Sequence, residues 1–320
     1  MSSIMNLAHA HLLINHFPVI GTIIVVALFV SALVGNNADL KKASLVLFLG
    51  IALLSIPVYM SGNAAEQAIK NLPGVSEQSI RRHENGALLA YVFMEITGAT
   101  AWFGLWRFRR TSNFGGGTLA AILILCLITV GLMANASNLG GQIRHPEIVS
   151  KVDASAPAAS WLSLNARAVG RFAVGGEGES RWVWATCQTL HFIGLTLLMG
   201  IVLLVDLRVL GVMKNVPFAA VHRLLPWGML GFALNLFTGM LYFVGAPEQY
   251  IKNPMFYWKM ALMLIAGANA IYFTLFDGPW DLRAKDVASF KLKAIALSGV
   301  ALWVGVMFCG LMLPFLGNAF

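Results

Sequence analysis

The chain has 320 residues, of which 58% are hydrophobic and only 11% charged, and its formal net charge is +8. A soluble domain of this size could not hide so much apolar surface, and apolar residues arriving in runs of about 20 belong in a bilayer. The cationic excess sits in loops rather than in a dense basic stripe with interleaved aromatics, which argues against nucleic acid as a partner.

Only helices or closed barrels can cross lipid, because every backbone amide must find its partner inside the protein. The runs are continuous rather than alternating, so they predict an all-α integral membrane protein. About eight runs are long enough to cross: 12–34, 44–61, 86–106, 118–139, 182–205, 224–246, 256–276 and 294–316. The first lacks a preceding basic segment and carries His16 and Pro18 near its start, unlike a cleaved signal peptide. The second is short and contains Pro57.

Gaps 35–43, 107–117, 206–223 and 277–293 hold twelve lysines and arginines against five aspartates, whereas the alternate gaps hold nine against eight acids. Cationic loops stay on the cytoplasmic side. This predicts a multi-pass protein of the bacterial inner (cytoplasmic) membrane with both termini periplasmic. Residues 1–145 read as a four-helix haem-binding domain, 146–181 as a periplasmic linker, and 182–320 as a second four-helix domain. Short loops between consecutive spans suit two up-down four-helix bundles. Within the linker, Ala158–Arg171 is expected to form a short interfacial helix that lays Trp161, Leu164 and Phe172 against the headgroups.

Cys126, Cys187 and Cys309 lie singly in separate apolar runs and read as small buried residues. No CxxCH segment exists to attach a c-type haem covalently.

Four histidines fall at one predicted membrane face: His11, His16, His83 and His145. His16 lies near the start of the first run and His83 just before the third, both of which run inward from the outer face. These runs lie diagonally in an up-down bundle, so the two imidazoles suit opposite sides of a haem iron. Small residues at the matching ends of the second and fourth runs, Ser61-Gly-Asn-Ala-Ala and Ala134-Asn-Ala-Ser-Asn-Leu-Gly-Gly, leave room for a macrocycle or simply pack helices closely. Arg81, Arg82 and Arg144 suit the haem propionates or act as solvated anchors. His11 and His145 suit a second haem, a copper or zinc ion, or plain interfacial hydrogen bonds.

In the second half, His191 reads first as a buried histidine bonded to a carbonyl, and otherwise as an axial ligand paired with Met240 or with a first-half residue. Asp206, Arg208 and Arg223 are expected to form an ion-pair cluster at the inner boundary, and Lys259 to snorkel outward. Glu95 falls near mid-membrane, where an ionised carboxylate is costly. It reads as a neutral acid bonded to a neighbour or as a proton relay from a quinone pocket.

The segment His11-Leu-Leu-Ile-Asn-His16-Phe-Pro resembles the opening of an uncharacterised bacterial membrane-protein family written HPxxxHFP, with Leu12 where that family has proline. Gly140-Gly-Gln-Ile-Arg-His-Pro-Glu resembles a later segment of the same family, so the likeness covers about residues 8–148. Residues 187–275 resemble a second uncharacterised bacterial membrane family through His191-Phe-Ile-Gly, Asp206-Leu-Arg-Val-Leu-Gly, Pro226-Trp, Thr238-Gly, Asn253-Pro-Met-Phe and Lys259. These resemblances imply fold and ancestry, and the first groups the four outer histidines.

The leading functional expectation is a b-type cytochrome-like subunit with one or two haem b groups. It would carry electrons between membrane quinone and a periplasmic c-type cytochrome or oxidoreductase subunit, and so act as the quinol-oxidising part of a complex. The alternatives are a non-catalytic membrane anchor of a larger respiratory or extracellular complex, and a copper- or zinc-binding membrane protein.

Overall fold

A computed structural model describes residues 9–144, 163–174, 182–275 and 282–316. Of the described residues 86% are helical and none lies in a strand. In order the helices are α1 (His9–Val34), α2 (Ala38–Ile69), α3 (Glu77–Thr111), α4 (Gly116–Arg144), α5 (Ala166–Val174), α6 (Trp182–Leu210), α7 (Phe218–His222), α8 (Leu225–Gly245), α9 (Pro247–Ile251), α10 (Pro254–Leu275) and α11 (Phe290–Leu316).

Seven spans are long and apolar enough to cross a membrane: α1, α2, α3, α4, α6, the continuous α7–α8 stretch and α11. The eighth expected run is helical as α10, over 22 residues, but falls outside that set. The protein is a multi-pass helical membrane protein.

Helices α2 and α3 are 32 and 35 residues long, well beyond their apolar runs. At 1.5 Å per residue each exceeds the roughly 30 Å of bilayer hydrocarbon. Asn37 fixes the start of α2, its side chain accepting from the amides of Asp39 and Leu40 at 3.0 Å each. Left-handed Ser112, with φ 52°, ends α3. The extension matters for function: His83, expected just before the third span, lies inside α3 because backbone hydrogen bonding continues through its polar first turns.

The chain divides into two compact units, Met1–Val169 and Gly170–Phe320, a division that falls inside the expected linker. In unit 1, α1 packs on α2 and α4, and α3 packs on the same two, so the four helices close into a ring with α1 across from α3. Phe29, Phe48, Leu45, Met94, Ile122 and Cys126 fill its interior. Helices α2 and α3 touch most closely at Gly98, where a Cβ would stand 2.3 Å from that of Ala52. Leu164 donates its amide to Asn85 O at 3.0 Å, and Ala166 donates to Asn85 Oδ1 at 3.0 Å. Of the expected interfacial helix, residues 163–165 are not helical, α5 runs from Ala166 with Phe172 exposed, and residues 158–162, Trp161 among them, lie outside the described residues.

In unit 2, α6 packs on α8 and α11, and α11 packs on α10. Gly194 of α6 and Gly231 of α8 allow near contact of their backbones, since a Cβ on Gly231 would meet Gly194 O at 2.7 Å. Val205, Val209, Phe218, Val221, Leu292 and Ala296 form the apolar cluster at one end of this unit.

The expected Asp206–Arg208–Arg223 ion-pair cluster does not form. Fully buried Arg208 donates instead to backbone carbonyls: Nε to Val216 O, Nη2 to Arg283 O at 2.7 Å and Nη1 to Asp286 O at 3.4 Å. Two residues on a helix lie about 200° apart, so Asp206 and Arg208 leave α6 on nearly opposite sides.

Candidate functional site

The buried face of α1 carries Pro18, Thr22, Val25, Phe29 and Ala32, at alternating steps of four and three. Extended backward, that register reaches Asn15 and then His11. His16 is five residues after His11, about 140° away around the helix, so one of the two faces the ring and the other does not.

His11 takes the inner position. Its Nδ1 lies 3.1 Å from Val58 O and 2.9 Å from Ser61 Oγ, while Ser61 gives its own proton to Val58 O at 2.8 Å. Both groups therefore accept from the ring, which fixes the proton on Nδ1 and leaves Nε2 of the neutral imidazole bare. His83, from α3 across the ring, donates Nδ1–H to Ala136 O of α4 at 2.9 Å, and its Nε2 is likewise bare. His16 is exposed, and its Nδ1 bonds Leu12 O of its own helix at 3.2 Å.

His11 and His83 line one cavity of about 840 Å³ among α1–α4, with His16 also on its wall, and lie within electrostatic reach of each other. Small residues from the two segments picked out in the sequence, including Gly62, Ala65, Ala136 and Gly140, line it too. A Cβ on Gly140 would stand 3.0 Å from Cε1 of His83, and one on Gly62 3.5 Å from Cε1 of His11. Both imidazole edges therefore rest directly against glycine.

Glu66, Glu84 and Tyr59 also line the cavity within mutual electrostatic reach, a grouping that sequence reading missed because it joins α2 to α3. Tyr59 stacks on Tyr91 at 5.0 Å and 24°. Beyond them lies Glu95, whose Oε1 is 2.9 Å from Ser55 Oγ; Ser55 also bonds Ala52 O at 2.8 Å. The hydroxyl has one proton for two acceptors, so both bonds form together only when the Glu95 carboxyl brings its own. The Tyr91 hydroxyl faces Glu95 electrostatically but is buried outside hydrogen-bonding geometry.

Of the expected propionate partners, Arg81 pairs with Glu77 at 3.1 Å, a carboxylate that Arg167 also reaches at 3.1 Å. Arg82 is half-buried on the same turn. The Arg144 side chain and all of His145 lie outside the described residues.

In unit 2, His191 Nδ1 lies 2.8 Å from Thr238 Oγ1, and Thr238 gives its proton to Leu234 O at 2.8 Å. His191 therefore also carries its proton on Nδ1. A hydroxyl stands where a carbonyl was expected, and Met240 lies two residues farther on, about 200° around α8. The neighbours of His191 are Tyr242, with ring centroids 5.6 Å apart, and Lys259, within electrostatic reach. Among the described residues no three His, Cys, Asp or Glu side chains gather around one point as a metal ion would need.

Residues 175–316 match the model of DUF6644, a family of unknown function. That match covers the second half of the chain, where the resemblance to an uncharacterised membrane family was read; the first half has none. No curated protein and no solved structure matches the chain.

Proposed function

We propose that the chain is a b-type cytochrome-like membrane subunit that carries electrons between the quinone pool and a periplasmic redox partner. A single haem b in unit 1 would be held between His11 and His83. The observation that carries this reading is the pair of imidazoles from facing helices, each with Nδ1–H committed to a carbonyl and Nε2 left bare on one cavity. Metal-ligating histidines are held this way, the second nitrogen donating to a carbonyl or carboxylate.

The residues present fit the group. A volume of about 840 Å³ lies within the range of roughly 300–1,000 Å³ common to ligand pockets. Gly62 and Gly140 let the ring edges lie close against backbone, and the other small residues leave the wall open to a flat ligand. Haem, when bound, supplies one-electron chemistry, while the protein sets its orientation and surroundings. His11 replaces His16 as the partner of His83, and His16 stays at the lipid-facing rim. Arg81, Arg82 and Arg144 sit at the same end and suit the propionates.

Ser55 lies on the cavity wall with Glu95 behind it, and as a relay for quinol oxidation Glu95 would pass its own proton onward before taking the next from quinol. The lysine and arginine asymmetry turns the cavity end toward the periplasm, with both termini on that side and α10 completing an even number of crossings. A c-type cytochrome or an oxidoreductase subunit would dock there. Copper or zinc has less support, because two imidazoles serve haem while no third ligand joins them among the described residues.

A reduced-minus-oxidised spectrum of protein purified with haem supplied tests this. The account expects a b-type absorbance lost in His11→Ala and His83→Ala. A colourless wild type that still folds would return the anchor reading, and stoichiometric copper or zinc without haem would return the metal reading.

A further inference from the structure

Unit 2 holds a carboxylate that nothing so far has used. Asp206, near the end of α6, is 3% exposed. Among the described residues no hydrogen-bond donor reaches it, and no charged side chain from α10 or α11 faces it. Arg208 is committed to loop carbonyls on the other side of the helix.

What faces Asp206 is a second acceptor. Asn269 of α10 uses its Nδ2 on Ile295 O and Ser298 Oγ of α11, both at 3.0 Å, and Ser298 passes its proton to Ile295 O at 2.7 Å. That leaves Asn269 Oδ1 to accept. Gly299 of α11 provides the space between: the point where its Cβ would stand is 2.9 Å from Asp206 Oδ2 and 3.3 Å from Asn269 Oδ1. Asp206 is buried and Asn269 half-buried, and two oxygens that can only accept, one of them a carboxylate, oppose each other unless something positive lies between them. A buried acid that no donor reaches, at the end of a membrane helix, is suited to an ion or proton site.

We propose that Asp206 and Asn269 form a site for one small monovalent cation near the membrane boundary, open at Gly299. The occupant is a proton shared between the two oxygens or a sodium ion. Oxygen donors suit such hard cations, and one carboxylate balances a single charge. The site is independent of the cavity in unit 1 and of the haem reading.

Thermal unfolding of the purified full chain in detergent tests it, with sodium chloride exchanged for choline chloride at constant ionic strength. Sodium occupancy predicts a saturable rise of about 5 °C at a hundredfold excess over Kd, absent in Asp206→Asn. Asn269→Ala leaves the carboxylate in place and should weaken the sodium dependence at least tenfold. Proton occupancy predicts no sodium effect, but an infrared C=O stretch of a protonated carboxylic acid at neutral pH that disappears in Asp206→Asn. An ionised Asp206 with no response to sodium would overturn the proposal, and Asn269→Ala supplies the sodium arm if Asp206→Asn does not fold.

Discussion

In unit 1, two imidazoles from facing helices share one cavity. In unit 2, His191 shares its surroundings with Tyr242 and Lys259 instead of a second imidazole. The local chemistry is the same in all three rings: Nδ1 donates, and Nε2 is left bare. Among the described residues, what separates the units is that in unit 1 a second imidazole lines the same cavity, with glycine against each ring edge. Unit 2 instead buries its polar side chains singly: Arg208 against loop carbonyls, Asp206 against Asn269.

The comparison can be broken most severely at Gly140. Gly140→Leu puts a branched side chain where His83 lies and should abolish haem retention, read as the haem-to-protein ratio, while unit 2 still folds. Next in size, Arg208→Met strands the carbonyls of Val216 and Arg283 and should cost about 3 kcal/mol of stability. Thermal melts would register that loss, and the haem spectrum should not move. Glu95→Gln keeps the bond to Ser55 but cannot release a proton. It should leave the spectrum unchanged and slow quinol oxidation about a hundredfold, which stopped-flow reduction measures; an unchanged rate removes Glu95 from the path.

The smallest effects sharpen the contrast. Ser61→Ala leaves His11 bonded to Val58 O and should weaken haem binding only about tenfold in a titration. Thr238→Val strips His191 of its acceptor and should cost about 1 kcal/mol, with no change in haem content.

Much of this was readable in the chain. Continuous apolar runs place the membrane helices because lipid forbids unpaired backbone, and the small-residue segments at 61–65 and 134–141 do line the cavity. The choice between His11 and His16 was also readable, in the alternating steps from Pro18 to Ala32, but proximity to the apolar run drew attention to His16. Polar first turns hid the true start of α3 and so the helical position of His83. Asp206 and Arg208 could not be partnered from charge alone. Arg208 finds one carbonyl in the loop just after α6 and two more in a loop distant in sequence, and Asp206 faces an amide oxygen whose acceptor role depends on where Asn269 spends its donors.

Haem content across four single variants tests the central claim most directly. His11→Ala, His16→Ala, His83→Ala and His191→Ala would be purified alike and compared by pyridine haemochrome assay. Loss in His11→Ala and His83→Ala, with wild-type content in the other two, is the expected pattern. Full retention in His11→Ala, or loss in His16→Ala instead, would contradict it.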